Sequence, residues 1–230
     1  GGAGTLSIVS DKVSATGAGA MGIWADYAGP INIDSGEITV GNGVGLYVYG
    51  QGAVDVLADK VTATGTGVVV YGREGAVDVT TGSVLAGTLG DVGVFAQSTT
   101  GDIAVNAGVT RTANTGMHGS FTADGVGAYS TGGGHVKVSS VDSAVVGQFA
   151  SAVYGVSTGG EVEIDSGNAR ASSAGTAAVY GRANHVTITS QDAEISGANA
   201  RAIQAVADNG DVVVASGRAV AKDAGGADIN

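Results

Sequence analysis

Apolar and polar residues alternate in short runs along the whole chain, and one such run recurs about every 25 residues. In each run two apolar residues flank one residue that would point the other way, as in Val54-Asp55-Val56. Alternation with a period of two predicts a β-strand with one buried face. Nine pairs follow the pattern: Leu6/Ile8, Ile31/Ile33, Val54/Val56, Val77/Val79, Ile103/Val105, Val136/Val138, Val162/Ile164, Val186/Ile188 and Val212/Val214.

Each repeat predicts two further short strands after this pair. The second is represented by residues 38–40, 61–63 and 84–86, and the third by residues 45–49 (GLYVY) and 67–71 (GVVVY). The third strand has its own inward apolar positions at the same period: Ala25, Val48, Val70, Ala96, Ala128, Val153, Val179 and Ile203. Three strands in a repeat of this length are typical of one coil of a parallel β-helix, in which each coil stacks on the previous one.

The predicted fold is therefore all-β: a single right-handed parallel β-helix of about nine coils of 22–26 residues, covering residues 1–230. Turns between short strands require many glycines, and the chain has 42 glycines and one proline, Pro30, just before a predicted strand. One repeat is longer, with 33 residues between Ile103 and Val136. The extra residues predict a loop around Met117, His118 and Phe121, which is interpreted either as a tolerated surface loop or as a recognition loop.

Composition narrows the classes of function. A formal net charge of −11 argues against binding nucleic acid through its phosphates and favours an exposed, soluble surface. The absence of cysteine excludes disulfides and cysteine-ligated zinc. No apolar stretch approaches the length that spans a bilayer. Because the sequence begins at Gly1 without methionine and stops within the repeat pattern, we expect it to be a segment of a longer protein.

The repeats resemble the passenger regions of Gram-negative autotransporters and of filamentous haemagglutinin-like adhesins. Residues 67–72 (GVVVYG) leading to 76–79 (AVDV), and the Ser/Thr/Gly corner at 62–67 (TATGTG), carry the resemblance, which extends over the whole chain. It implies a right-handed β-helical stalk, extracellular at the bacterial surface or secreted, with an outer-membrane translocator outside this segment. The expected function is a rigid stalk or adhesive segment that binds a glycan or protein of a host or neighbouring cell, or self-associates.

Aromatic residues give the candidate binding site. In this alignment the third strand places five of the seven tyrosines at one outward position, with Trp24, Tyr47 and Phe95 at the next outward position. Such a column is interpreted either as a ladder that stabilises neighbouring coils or as a strip that binds a glycan or protein. The candidate ligand-binding residues are Trp24, Tyr47, Tyr49, Tyr71, Phe95, Tyr129, Tyr154 and Tyr180, followed by the loop residues Met117, His118 and Phe121.

Patterns that suggest catalysis have simpler interpretations. Residues 155–159 (GVSTG) match a nucleophile elbow, and 17–22 (GAGAMG) a dinucleotide fingerprint, but both lie between predicted strands and are read as turns. His135 and His185 sit at one repeat position two coils apart, where they cap corners. Asp55 and Asp78 stack about 5 Å apart on adjacent coils, a spacing that catalytic carboxylate pairs also show.

The alternative function is therefore a β-helix enzyme that degrades or modifies polysaccharides, and a sugar-release assay distinguishes it from an adhesin. No catalytic residue, metal ligand or cofactor is assigned, and calcium binding by the acidic columns is left open.

Overall fold

The computed structural model describes residues 4–87, 92–113, 124–147 and 149–222, and these residues form strands and turns without a helix. The strands are β1 (Leu6–Tyr27), β2 (Ile31–Gly50), β3 (Val54–Ala63), β4 (Val68–Gly72), β5 (Val77–Ala86), β6 (Val92–Ser98), β7 (Ile103–Ala113), β8 (Asp124–Ser130), β9 (Val136–Val146), β10 (Ser151–Ser157), β11 (Glu161–Ser172), β12 (Ala177–Ala183), β13 (His185–Ser196), β14 (Arg201–Ala207) and β15 (Val212–Lys222).

Parallel pairing of each strand with its copy one repeat later builds a single β-solenoid of about eight turns. The longer strands form one stack, from β1 through β2, β3, β5, β7, β9, β11 and β13 to β15. The shorter strands form the other, from β4 through β6, β8, β10 and β12 to β14, and β2 joins the two. The all-β parallel solenoid is confirmed, and its right-handedness stays a prediction.

The first two predicted strands of each repeat are one continuous strand rather than two. In β3, which runs from Val54 to Ala63, the register with β2 is interrupted only at Asp59. Residues on both sides of Asp59 keep their inward and outward alternation, so the corner between the two predicted strands is a bend of one residue. A single break of this kind preserves the ladder of hydrogen bonds through the corner.

Like side chains stack on like in the core, because every strand pairs in register with its copies. Val54 pairs with Val77 and Val56 with Val79, and all four are buried. The resulting core is a thin column of valine, isoleucine and alanine that runs the length of the described chain. Burial of these apolar surfaces supplies most of the favourable free energy of folding.

Along the core, side chains of one column become smaller while those of the facing column become larger. The residue just before the first inward valine, leucine or isoleucine of the shorter stack is glycine in the early coils, such as Gly45, and alanine in later ones, such as Ala178. A Cβ on Gly45 would overlap Val61 and lie 2.6 Å from the carbonyl oxygen of Gly67. The column that contains Val61 reads Val13, Ile38, Val61, Val84, Thr110, Ser143, Ala169, Ala193 and Ala219, so it shrinks as the glycine column becomes alanine.

Buried serines close three successive corners after the shorter strands. The hydroxyl of Ser98 accepts a hydrogen bond from Gly101 N–H at 2.8 Å, and Ser130 accepts from Gly134 N–H at 3.0 Å. Ser157 does the same with Gly160 N–H at 3.2 Å, and donates to the carbonyl of Gly134 at 2.6 Å. These bonds satisfy backbone groups that the turn removes from the ladder.

Candidate functional site

The predicted aromatic strip lies on the outward face of the shorter stack and of the last residues of β1 and β2, which continue that stack. Trp24 pairs with Tyr47, Asp26 with Tyr49, and Tyr49 with Tyr71. Their side chains therefore follow one another at the spacing of the coils, about 4.8 Å. This end of the strip is arranged as the sequence predicted.

The prediction that five tyrosines share one position is wrong. Tyr129 pairs with Val156, and Tyr154 pairs with Gly127, so the register is two residues away from the one that would align the tyrosines. Tyr154 and Tyr180 instead continue the column of Trp24, Tyr47 and Phe95.

Core packing explains this register. Val153 stacks on Val126, and the smaller Gly155 stacks on Ala128. A Cβ on Gly155 would lie 3.0 Å from Val162 and 3.3 Å from Ile164. The predicted inward column is wrong in its last three members for the same reason: Val153, Val179 and Ile203 continue the column of Val126 rather than that of Ala128.

The middle of the strip is a small second core. The rings of Tyr47 and Tyr71 are 5.7 Å apart, and Tyr71 meets Phe95 edge-on at 6.2 Å. Phe95 is only 4% exposed, and Val69 is also buried in the same cluster. Burial, with a contribution from Tyr47, raises the pKa of Tyr71 above its usual value. Tyr71 and Phe95 therefore support the fold, as the ladder interpretation predicted.

Tyr154 and Tyr180 form a separate stacked pair. Their ring centroids are 5.4 Å apart and the planes differ by 12°. Burial, with smaller contributions from Asp124 and the neighbouring tyrosines, raises the pKa of Tyr154 well above the usual range of a phenol. The hydroxyl of Tyr154 therefore stays protonated at any physiological pH.

Among the described residues the most exposed aromatic side chain is that of Trp24 in the first coil, followed by that of Phe149 in a later coil at 44%. Trp24 is 62% exposed, whereas Tyr47 and Tyr49 are half-buried beside it. We call Trp24, Tyr47 and Tyr49 the aromatic end. Met21, on the same strand as Trp24, is also exposed. An exposed tryptophan flanked by tyrosines is the composition that binding hot spots favour.

The catalytic patterns occupy structural positions, and residues 17–22 lie within β1, where its register with β2 shifts, rather than in a turn between strands as predicted. Ser157, the serine of the GVSTG pattern, is 1% exposed, and its hydroxyl bonds two backbone groups of a corner, so its interpretation as a turn is confirmed. His185 also caps a corner: its Nδ1 accepts a hydrogen bond from Asp211 N–H at 3.2 Å. The backbone N–H of His135 donates to the carboxylate of Asp102 at 2.8 Å.

Asp55 and Asp78 pair across adjacent coils as the spacing predicted. Burial, with a smaller contribution from Asp55, raises the pKa of Asp78. Among the residues that the structure describes, no group of three or more His, Asp or Glu side chains is arranged to hold a metal ion. The loop residues Met117, His118 and Phe121 lie outside the described residues.

A polar groove on the longer stack was missed by the sequence reasoning. It has a volume of about 480 Å³ and is lined along its outer side by Thr80, Asn106, Ser139 and Asp165. These four residues share one outward register column. The signal was present in the sequence, because each follows the second apolar residue of its repeat. The bend in the strand decides which outward columns border a groove, and the repeat pattern does not reveal that bend.

No protein-family model, curated protein or solved structure matches this chain. Within the described ranges no helix is long and apolar enough to cross a membrane.

Proposed function

We propose that this chain is a rigid extracellular stalk or adhesive segment of a bacterial surface protein of the autotransporter or haemagglutinin-like class. It binds a protein or glycan of a host or neighbouring cell, or a second copy of itself. The observation that carries the proposal is the aromatic end, an exposed Trp24 beside Tyr47 and Tyr49 on the side of a regular parallel solenoid.

The physical argument joins rigidity to exposed aromatic area. A solenoid fixes outward side chains at the spacing of its coils, so little conformational entropy is lost when a ligand docks on them. Tryptophan and tyrosine offer large contact areas with few rotatable bonds, and each has a polar group that can face water. The ring of Tyr47 packs against Tyr71 in the second core, and this contact fixes the position of Tyr47 within the aromatic end.

Binding of the chain to cells and to a glycan array, with and without a Trp24→Ala, Tyr49→Ala double substitution, tests the proposal. We expect the double variant to lose at least about tenfold in affinity, which corresponds to a total loss of about 1.4 kcal/mol from the two truncated residues. Tyr71 is left intact because its loss would disturb the fold. Sedimentation over a range of concentrations reports self-association in the same samples.

The matched control is Val9→Ala, which truncates a residue of the same β1 strand that is 76% exposed but lies outside the aromatic end. Circular dichroism and thermal melting establish that all variants are folded. Unchanged binding by a folded double variant would refute the aromatic end as the adhesive site. Failure of the unmodified chain to bind cells, glycans or itself would leave this segment as spacer only.

A further inference from the structure

The polar groove lies on the longer stack from β5 to β13, shares no residue with the aromatic end, and extends along the rod. Its lining residues come from β5, β7, β9, β11 and β13, which are successive members of the longer stack. Four steps of about 4.8 Å make the groove roughly 19 Å long. That length fits an extended chain molecule better than a single small ligand.

Side chains along the groove have hydrogen-bonding groups that the protein does not use. Thr80, Asn106, Ser139 and Asp165 follow one another in register, and none of them makes a side-chain hydrogen bond or ion pair within the described part of the chain. On another outward column, by contrast, Glu37 makes ion pairs with lysines of both neighbouring coils. The row beside the groove therefore presents hydroxyl, amide and carboxylate groups that a ligand can use.

The floor adds two hydroxyls without partners. Thr81 and Ser140 line the groove and are 3% and 5% exposed, and their side-chain oxygens have no hydrogen-bond partner. In the same column the hydroxyls of Ser166 and Ser190 pair at 2.9 Å, whereas Ser140 makes no such bond although Ser166 lies on the next coil. These two oxygens have almost no accessible surface, so Thr81 and Ser140 shape the floor and do not reach a ligand in the groove.

Glycine keeps the other wall of the groove low. Gly108 and Gly167 lie at the bend, where a Cβ on either would collide with the carbonyl oxygen of the coil before it. Close approach of the backbones therefore requires glycine here, and the same requirement leaves the groove open beside Asn106 and Asp165. The opening is built into the way these coils stack.

We propose that the polar groove binds an extended, uncharged oligosaccharide that runs along the rod. Hydroxyl, amide and carboxylate groups are the partners that sugar hydroxyls need, since each sugar hydroxyl both donates and accepts. The groove has no lysine or arginine among its lining residues, and Asp165 together with the net charge of −11 repels anionic polymers. This inference concerns a different site from the aromatic end and does not rest on its proposed role.

Titration of the whole chain with short linear neutral glucan, mannan and galactan fragments tests the inference, with uronate oligosaccharides as charged counterparts. We expect a neutral oligosaccharide to bind, and an Asn106→Ala, Ser139→Ala double variant to bind about tenfold or more weakly, as loss of two hydrogen bonds predicts. The matched control is Asn32→Ala, which removes an exposed asparagine of β2 outside the groove. Circular dichroism checks that each variant is folded.

Other outcomes overturn the inference. If neutral sugars bind equally well to the folded groove variant, or if only uronates bind, the groove does not have this role. If sugar binding is lost in the Trp24→Ala, Tyr49→Ala variant but kept in the groove variant, the sugar site is the aromatic end. In that case the proposed function stands while the groove proposal fails. A chain that binds no neutral sugar contradicts the groove proposal, even where cell binding through the aromatic end persists.

Discussion

At the scale of single residues, the volume of one inward side chain is set by the residue that faces it from the other stack. Gly45 has no room for a methyl group because Val61 and the carbonyl oxygen of Gly67 fill that space, whereas the later coils place alanine in both columns. Interiors packed this closely respond to a change of one carbon atom. The side-chain volumes of the two facing columns therefore have to match within each coil.

Gly45→Ala is expected to destabilise the chain by about 1–3 kcal/mol, the usual cost of overpacking. Val61→Ala alone should also destabilise it, because it leaves a cavity. The double variant should be more stable than the sum of the two losses, since the new methyl group occupies part of the space that Val61 vacates. Denaturant unfolding of the four proteins measures this coupling. Simple additivity would contradict the matched-volume explanation.

Asp78 is a residue whose charge opposes folding. Its pKa is raised by burial and by the neighbouring Asp55, so the folded chain holds more protons than the unfolded chain between the ordinary and the raised pKa. Stability attributable to Asp78 therefore falls as pH rises through that window.

Asp78→Asn should consequently stabilise the chain near neutral pH, by roughly half a kcal/mol for a site this exposed. The gain should disappear below about pH 3, where the aspartate is protonated in both states. Thermal melting of both proteins across this range measures the difference. A gain that is independent of pH would show that charge is not its cause.

At the scale of the strand, opposite charges on neighbouring coils are paired along one face. Asp142 of β9 bridges Arg111 of the coil before it and Arg170 of the coil after it. Its side chain is only 21% exposed, which shields the pairs from solvent more than those of Lys137 and Glu163. Ladders of this kind let charged side chains stack without like charges becoming neighbours.

Asp142→Ala is therefore expected to cost about 1 kcal/mol or more, since it removes two ion pairs and leaves Arg111 and Arg170 without the carboxylate they share. Glu163→Ala, which removes one exposed pair with Lys137, should cost only a few tenths of a kcal/mol, roughly. Denaturant unfolding at low and high salt compares them. Equal effects of the two substitutions would argue against a special role for the Asp142 bridge.

At the scale of the whole molecule, each coil is the template for the next one. β3 pairs with β2 on one side and β5 on the other, so a lost backbone donor in β3 weakens the contact between coils. Stability in such a repeat is approximately a sum of coil terms and nearest-neighbour terms. Damage should therefore spread to adjacent coils and fade with distance.

Thr62→Pro in β3 should cost about 3 kcal/mol or more, because proline removes a donor from an interior strand, while Thr62→Ala should cost much less. Hydrogen exchange read strand by strand is the measurement. Protection should fall most in β2, β3 and β5 and remain in β13. Uniform loss of protection along the chain would contradict the nearest-neighbour description and indicate a single cooperative unit.

The sequence by itself determined the architecture, because a parallel solenoid depends on local properties that recur at a fixed period. Alternation at Val54-Asp55-Val56 and its eight counterparts predicted the longer stack, and the GVVVYG repeats predicted the shorter one. Both signals lie within a single coil, where spacing along the chain decides which side chains face inward.

The tertiary structure alone decided how coils register on one another and what their outer faces form. The sequence-based alignment of the tyrosines predicted that Tyr154 pairs with Tyr129. In the structure, Val153 packs on Val126, which sets a register two residues away. Trp24 and Phe95 share one column, yet Trp24 is exposed and Phe95 is buried, because their neighbours on other coils differ. The polar groove depends on the bend at Gly108 and Gly167. Contacts between coils join residues distant in sequence, and their volumes, rather than their spacing along the chain, decide the outcome.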